Sequence, residues 1–552
     1  MDITLLQKEN ETLRLKLQEK DSIIEDCRRV IAEHTKIIAD KEALIAEKQA
    51  LIAELKEKVA LLEILHFGPK SEKWTKDDER QGLLFNEAED EAFRQTDATG
   101  AKSGVETKEV CGYTRRAHRN QGRKPISPDL PREEIVYDIS EDEKVCGCGS
   151  KLICIGEDVS ERVAIKPAEV RVIRERRKKY ACRVCEGVED ERGGVVTAEG
   201  AKHLLPGSLA DESLLAWSIC EKFEFGLPFY RQAKRLLYIG VPLSRGTLCH
   251  HAIRAAEACR PLYELLGEQI RSGPVINADE TRVQVLKEPG RRPQDQSWMW
   301  VFVGGPAGHE AVLFRYDRSR SHEVCYQFLQ GFQGWLQTDG YGAYETALKR
   351  IGESDAERRV AKHILCWSHV RRMFVRAWEV SRSPLAKEAI DFIRKLFALE
   401  ELRKEYSLKG FFKQRLLRAK DIFFRFESWL CKVIKETPAS CLLGKAVAYV
   451  LENWGKLTCY VEDPVLVPSN NRVENAIRPF VVGRKNWLFS DTPLGAEASA
   501  IHYSLIESAK LSNLNPYAYL IYVYKLLPYA SSREDYQRLL PWNLSPNLLR
   551  GG

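Results

Sequence analysis

Residues 274–286, PVINADETRVQVL, read as an apolar strand that ends on Asp279, and residues 334–344, GWLQTDGYGAY, read as a second that ends on Asp339. Between them lie two further strand-like stretches, SWMWVFVGG at 297–305 and EAVLFRYD at 310–317, then a helix-like stretch from His322. Carboxylates that terminate buried strands are held rigidly at the mouth of a sheet, a good placement for metal ligands. Hard oxygen donors suit Mg²⁺, which keeps several waters and takes further ligands from substrate phosphate. Two such ions about 3.5–4 Å apart can activate an attacking oxygen and stabilise a leaving one. Holding both ions calls for a third carboxylate. Glu474 in NNRVENAIRPFVVGRKNW, residues 470–487, is the best candidate, with Arg478 one turn further on the same helix face and Arg484 and Lys485 beyond. Cations beside such a site suit a polyanionic substrate. Read singly, Glu474 passes for an exposed helix carboxylate. The order strand-Asp, strand, strand, helix, strand-Asp, helical stretch, helix-Glu makes the set specific.

Working outward, 552 residues exceed one compact core and predict two to four domains. Apolar residues at 44% and charged residues at 30% are ordinary for a soluble globular chain, and a net charge of +6 permits a nucleic-acid partner without arguing for one. No run of eighteen apolar residues predicts a membrane span, and the charged first thirty residues do not read as a signal peptide. The 15 cysteines, mostly scattered singly, suggest a reduced, cytoplasmic chain.

Residues 1–67 carry a seven-residue apolar period without Gly or Pro: Ile24, Ile31, Ile38, Ile45, Ile52 and Val59 form one row, and Ile23, Val30, Ile37, Leu44 and Leu51 another. Such a period predicts a long coiled-coil helix and hence a homo-oligomer. A solitary amphipathic helix packed on its own protein is the alternative. Residues 68–135 read as a polar linker whose cluster RRAHRNQGRKP, with Arg115, Arg116, Arg123 and Lys124, could contact phosphates or be merely solvated. In 136–195, Cys146 and Cys148 (VCGCGSKL) and Cys182 and Cys185 (YACRVCEG) form two pairs that suit a structural Zn²⁺. The first pair is a Cys-x-Cys, shorter than usual, which leaves Cys154 as a substitute ligand and a redox pair or plain core cysteines as other readings. Between the pairs, Arg176, Arg177 and Lys178 fit phosphate-backbone contact. LPFYRQAKRLLYIGVPLSRGTLCHHAIRA at 227–255 reads as helix, Gly-containing turn, helix, with Ser244 capping the second helix and Arg245 opening it. This is the outline of a helix-turn-helix within a helical segment at 196–265, although any helical hairpin would look similar. Cys366 and His369 in CWSHVRRMF have metal-ligand spacing, but a packed strand-to-helix junction explains them as well; Arg371 and Arg372 beside them could touch DNA.

Taken together, FGPKSEKW, GRKPISPDLPREE, LPFYRQAKRL, ADETRVQVL, TDGYGAY, CWSHVRRMF and NNRVENAIRPFVVGRKNWLFS make the chain resemble the insertion sequence 66 family of bacterial transposases over nearly its whole length. The resemblance implies a multidomain α/β protein. Its RNase H-like catalytic domain at 266–495 would carry an Asp-Asp-Glu triad at Asp279, Asp339 and Glu474 and a helical insertion at about 370–460, followed by a helical tail at 496–552. It also implies dependence on Mg²⁺ or Mn²⁺, action on the element's terminal repeats and on target DNA, small accessory proteins as partners, and a location at the bacterial nucleoid. In the implied mechanism, water attacks a phosphodiester at the element end and the freed 3′-hydroxyl attacks target DNA, without a covalent protein–DNA bond. A catalytically silent DNA-binding descendant and a non-mobile nuclease are the competing readings.

Overall fold

The computed structural model describes residues 3–67, 170, 172–176, 179–181, 195–197, 200–354 and 361–546. The basic linker cluster (Arg115, Arg116, Arg123, Lys124), Arg177, Lys178 and the four cysteines Cys146, Cys148, Cys182 and Cys185 lie outside them. The chain divides into two compact units, Arg80–Tyr180 and the remainder. Short strands β1 (Lys179–Ala181) and β2 (Val195–Thr197) precede the main body. Among the described residues no helix is long and apolar enough to cross a membrane.

Helix α1 (Ile3–Phe67) runs unbroken for 65 residues. Its two apolar rows stand about half exposed, from Ile37 at 46% to Ile31 at 64%. Near its end, Glu57 accepts the Leu442 N–H at 3.0 Å.

The main body is built on five strands: β3 (Val275–Gln284), β4 (Gln296–Gly304), β5 (Ala311–Asp317), β6 (Trp335–Thr338) and β7 (Lys362–Leu365). They run in the order β5-β4-β3-β6-β7, with β3, β4 and β5 an antiparallel meander and β6 and β7 parallel to β3. Helices α6 (His322–Leu329) and α7 (Gly342–Ser354) make the crossovers. This mixed sheet flanked by helices is an RNase H-like core. One detail differs from the sequence reading: Asp279 sits inside β3 rather than at its end. The antiparallel pairing with β4 carries β3 on to Gln284, whereas the ladder to β6 stops at the pair Asn277–Gln337. Asp279 therefore stands just past the point where the parallel partner leaves the ladder.

Helices α2 (Glu212–Phe223), α3 (Phe229–Tyr238), α4 (Arg245–Ala258) and α5 (Arg260–Ser272) share one continuous hydrophobic core with the sheet and with the C-terminal helices. Boundaries at 265 and 495 thus fall within a core, because Leu248, Leu262, Phe302, Ile506 and Tyr524 are buried together in it. A second core is made by the insertion: α8 (Trp367–Ser381), α9 (Pro384–Glu400), α10 (Leu408–Glu436), α11 (Leu442–Glu452) and α12 (Trp454–Thr458). At its base the fully buried Arg415 donates to the carbonyls of Asp463 (2.5 Å), Leu466 (2.8 Å) and Tyr460 (3.3 Å). The guanidinium fixes the segment that leads into α13 (Asn471–Trp487).

Strand β5 is an edge, and exposed edge groups invite mispairing. Here α14 (Pro493–Leu511) covers it. Ser504 Oγ accepts the Phe314 N–H at 2.8 Å and Ser508 Oγ the Val312 N–H at 2.9 Å. The serines are four residues apart, one helical turn, and meet strand residues two apart, which face the same way. Ser508→Ala leaves a buried N–H without a partner and is expected to lower unfolding stability by about 1–3 kcal/mol. Chemical denaturation of the variant checks this; parental stability would show that the helix does not seal the edge.

Candidate active site between β3, β6 and α13

Asp279 is part-buried and its Oδ1 accepts the Glu280 N–H at 2.8 Å. Burial, then the charge of Glu280, then those of Asp339 and Glu474, push its carboxyl up to about 7 against the pull of that hydrogen bond. Asp339 and Glu474 thus both act on Asp279, although one comes from another strand and the other from a helix beyond the whole insertion. Alternation along β3 turns Glu280 to the opposite face. There it is buried and satisfied by Arg320 (2.5 Å) and the Tyr344 hydroxyl (2.5 Å), while Arg320 stacks over Tyr341 and Trp298.

Asp339 follows the last residue of β6. Its Oδ1 accepts the Tyr341 N–H at 3.0 Å, an Asx-type turn that swings the chain into α7. Gly340 in that turn has φ +99°, and a Cβ there would run into the Tyr449 hydroxyl, so the TDG sequence meets a local steric demand. The same hydroxyl donates to the Asp339 carbonyl at 3.3 Å, tying the loop to the insertion.

Glu474 lies in the first turn of α13, part-buried. Arg372 Nη2 meets both its oxygens, at 2.5 and 2.6 Å, and His369 Nδ1 lies 3.7 Å from Oε1. The donor atoms of Cys366, His369 and Glu474 lie within 4.8 Å of one another. Cys366 behaves here as a junction residue: burial pushes its thiol up to about 11, and Sγ takes the Asn470 N–H at 3.1 Å. Next to it, Trp367 donates its N–H to the Pro468 carbonyl (2.8 Å) and its ring N–H to that of Leu457 (2.7 Å). His369 is held below the usual imidazole range by burial and by Arg372, with Glu474 and Asp339 opposing.

The cations expected at DNA divide. Arg371 is buried on α8, at 7% exposure. Arg372 is engaged by Glu474, and Arg484 donates to Thr281 Oγ1 (3.1 Å) and to the Arg282 carbonyl, holding the end of α13 on β3. Arg176, Arg245, Arg478 and Lys485 are exposed. Ser244 caps α4 by accepting the Thr247 N–H at 3.0 Å, and Arg245, His250 and Arg254 stand on the exposed side of that helix. Sequence reasoning passed over Arg320, Tyr344 and three buried amides, Asn277, Gln337 and Asn470. For two of the amides the signal was present: each is a polar side chain inside an apolar strand, two residues before a carboxylate.

Chemically, Asp279 and Asp339 are hard oxygen donors, and among the described residues Arg372 pairs with Glu474. A carboxyl raised to about 7 by burial first and then by its acidic neighbours is one whose charged form a divalent ion would favour. The donor set therefore fits Mg²⁺ or Mn²⁺.

Comparison with known proteins places this geometry. The profile described as "Transposase IS66 family" matches residues 207–498, more than half of the chain. The zinc-finger binding domain of the IS66 transposase matches 143–186, the IS66 C-terminal element 504–542, and a domain described as "Transposase C of IS166 homeodomain" 54–135. Among relatives, the uncharacterized protein y4jD of Sinorhizobium fredii is 34% identical over 77% of this chain and 82% of its own length. The uncharacterized protein y4qI of the same organism is 29% identical over 78% and 81%. No solved structure matches the chain. A profile over more than half of the residues, together with a relative a third identical across most of both chains, shows that the protein belongs to the IS66 family of transposases and is a DDE-type enzyme of DNA transposition.

Proposed function

We propose that Asp279, Asp339 and Glu474 are the triad that binds the catalytic metal ions and carries out strand cleavage at the element ends and strand transfer into target DNA. The observation that carries this is the Asp279 carboxyl, pushed up to about 7 by burial and by acidic neighbours that include the other two members. Divalent ions bound there would supply Lewis-acid activation of the attacking oxygen and neutralise charge at the leaving one. The chain's own residues do the positioning. β3 and β6 fix two carboxylates by their backbones, and α13 brings the third. Arg372 holds Glu474 in the metal-free protein and is free to turn to phosphate once a cation takes its place. Exposed Arg478 and Lys485 on α13 flank the triad on the DNA side.

The other parts choose and hold the DNA. α3 and α4 would form a helix-turn-helix whose Arg245 end faces the duplex. Cys146, Cys148, Cys182 and Cys185, within the matched zinc-finger segment, would hold a structural Zn²⁺ and so present Arg176, Arg177 and Lys178 to phosphate. The linker residues Arg115, Arg116, Arg123 and Lys124 would add backbone contacts. The half-exposed apolar rows of α1 suit pairing with a second copy.

Asp279→Asn is expected to abolish Mg²⁺-dependent cleavage of element ends while leaving binding to those ends intact; undiminished cleavage sinks the assignment. The same variant has a signature in stability. A carboxyl raised from 3.8 to about 7 stabilises the fold fully below about pH 4, and that contribution is lost as pH rises through 7. Metal-free Asp279→Asn should therefore melt a few degrees above the parent at pH 8, and the gap should close toward pH 4. Adding Mg²⁺ should raise the melting temperature of the parent and not of the variant. Parental melting at every pH would refute the crowding of charge. Purified protein should contain one Zn²⁺ per chain, lost on replacing Cys182 and Cys185 with Ser; metal-free protein would remove the zinc module.

A further inference from the structure

Three buried amides, each a few residues before one of the three carboxylates, bond to one another. Asn277 Nδ2 donates to Gln337 Oε1 at 2.9 Å and to Asn470 Oδ1 at 3.0 Å. Asn470 Nδ2 donates to the Ala278 carbonyl at 3.0 Å, and Gln337 Nε2 to the Val467 carbonyl at 2.8 Å. All three side chains are buried, at 3%, 1% and 1% exposure.

Their places in the chain match those of the carboxylates. Asn277 precedes Asp279 by two residues on β3, so the two face the same way, and Gln337 precedes Asp339, the residue just after β6, by two. Asn470 precedes Glu474 by one helical turn. The pair Asn277–Gln337 is also the last rung of the β3–β6 ladder, so the side-chain bond clamps the two strands where the backbone bonds stop. Asn470 occupies the N-cap position of α13, where an asparagine normally accepts an N–H of its own helix. Its side chain makes no such bond and reaches to the sheet instead, to the carbonyl just before Asp279. The helix forgoes a cap and gains an attachment to β3.

We infer that Asn277, Gln337 and Asn470 are positioning residues for catalysis: a buried amide clamp that sets the spacing of Asp279, Asp339 and Glu474, and through it the affinity for the metal ions. The inference rests on those three being the metal-binding triad. The amides bond to one another and to backbone beside the carboxylates, and outer-shell groups that orient metal ligands typically govern metal affinity or activity by about 10–100-fold. A neutral amide suits the place because it donates and accepts at once and adds no further negative charge beneath three carboxylates. Cys366 belongs to the same device: its sulfur receives the Asn470 N–H, so the CWSH segment steadies the amide that steadies Glu474.

The test uses the full chain with DNA bearing the element ends. Two variants are made, Asn277→Ala, which removes the central donor, and Gln337→Met, which keeps the volume and removes the bonds. Ser508→Ala, which loses a buried hydrogen bond at the far edge of the same sheet, is the control. Mg²⁺ is titrated while melting temperature and cleavage are followed in parallel. Both amide variants should need at least about 10-fold more Mg²⁺ for half-maximal rise in melting temperature and half-maximal cleavage, with end binding unchanged. The double variant should be little worse than the worse single one, as expected for residues acting through one another. The control should lose stability and keep the parental Mg²⁺ requirement. Amide variants that melt lower yet titrate like the parent overturn the clamp and leave the triad standing. Normal cleavage by Asp279→Asn overturns the triad itself, whatever the amides do.

Discussion

Carboxylates gathered from separate elements repel one another, by about 4 kcal/mol for two unit charges 4 Å apart near a protein surface. Everything around this site can be understood as resisting that repulsion until a cation arrives. Asp279 shows the strain most directly, its carboxyl held near neutrality by burial and by the acids about it. Glu474 is held by Arg372, whose Nη2 is shared between both carboxylate oxygens, a charge-assisted contact. Asp339 is fixed through its own turn and through the Tyr449 hydroxyl.

The helical insertion raises a mechanical difficulty. It separates Asp339 from Glu474 in sequence, and any play within it would move the third acid. The structure answers at its base rather than along its length. Arg415 gathers three carbonyls of the return segment, Trp367 donates to Pro468 within it and to Leu457 in α12 before it, and Cys366 receives the Asn470 N–H. The insertion has its own core, so its helices need only be internally rigid, and the segment from Tyr460 to Asn470 carries that rigidity to the site. The opposite side of the sheet is braced by α14, whose serine hydroxyls complete the edge of β5. The long C-terminal stretch thereby shares its hydrophobic core with the sheet.

Much of this was legible in the sequence. Alternating and continuous apolar runs marked β3, β4, β5 and β6, because burial on a sheet imposes those patterns. Gly240 and Ser244 marked the break and cap between α3 and α4. The two aspartates were visible as charges interrupting apolar strands. Glu474 was visible only through its family motif, since an acid in the first turn of a helix is a common solvated residue. The positions of Arg371 and Arg372 were not legible: adjacent residues on a helix point about 100° apart, and which one faces the core depends on how α8 lies on its neighbours.

By itself the sequence determined the order of strands and helices, the long heptad helix α1, and the motifs that make this chain an IS66 transposase. Local periodicity and residue chemistry suffice for those, since they depend on neighbours along the chain. Only the tertiary structure decided that Asp279 lies within its strand, that the helices of 212–272 and 493–526 belong to one core with the sheet, and that Asn277, Gln337 and Asn470 meet. The last of these rests on hydrogen bonds between residues sixty to nearly two hundred positions apart, and such bonds exist only once the sheet, the insertion and α13 have been brought together.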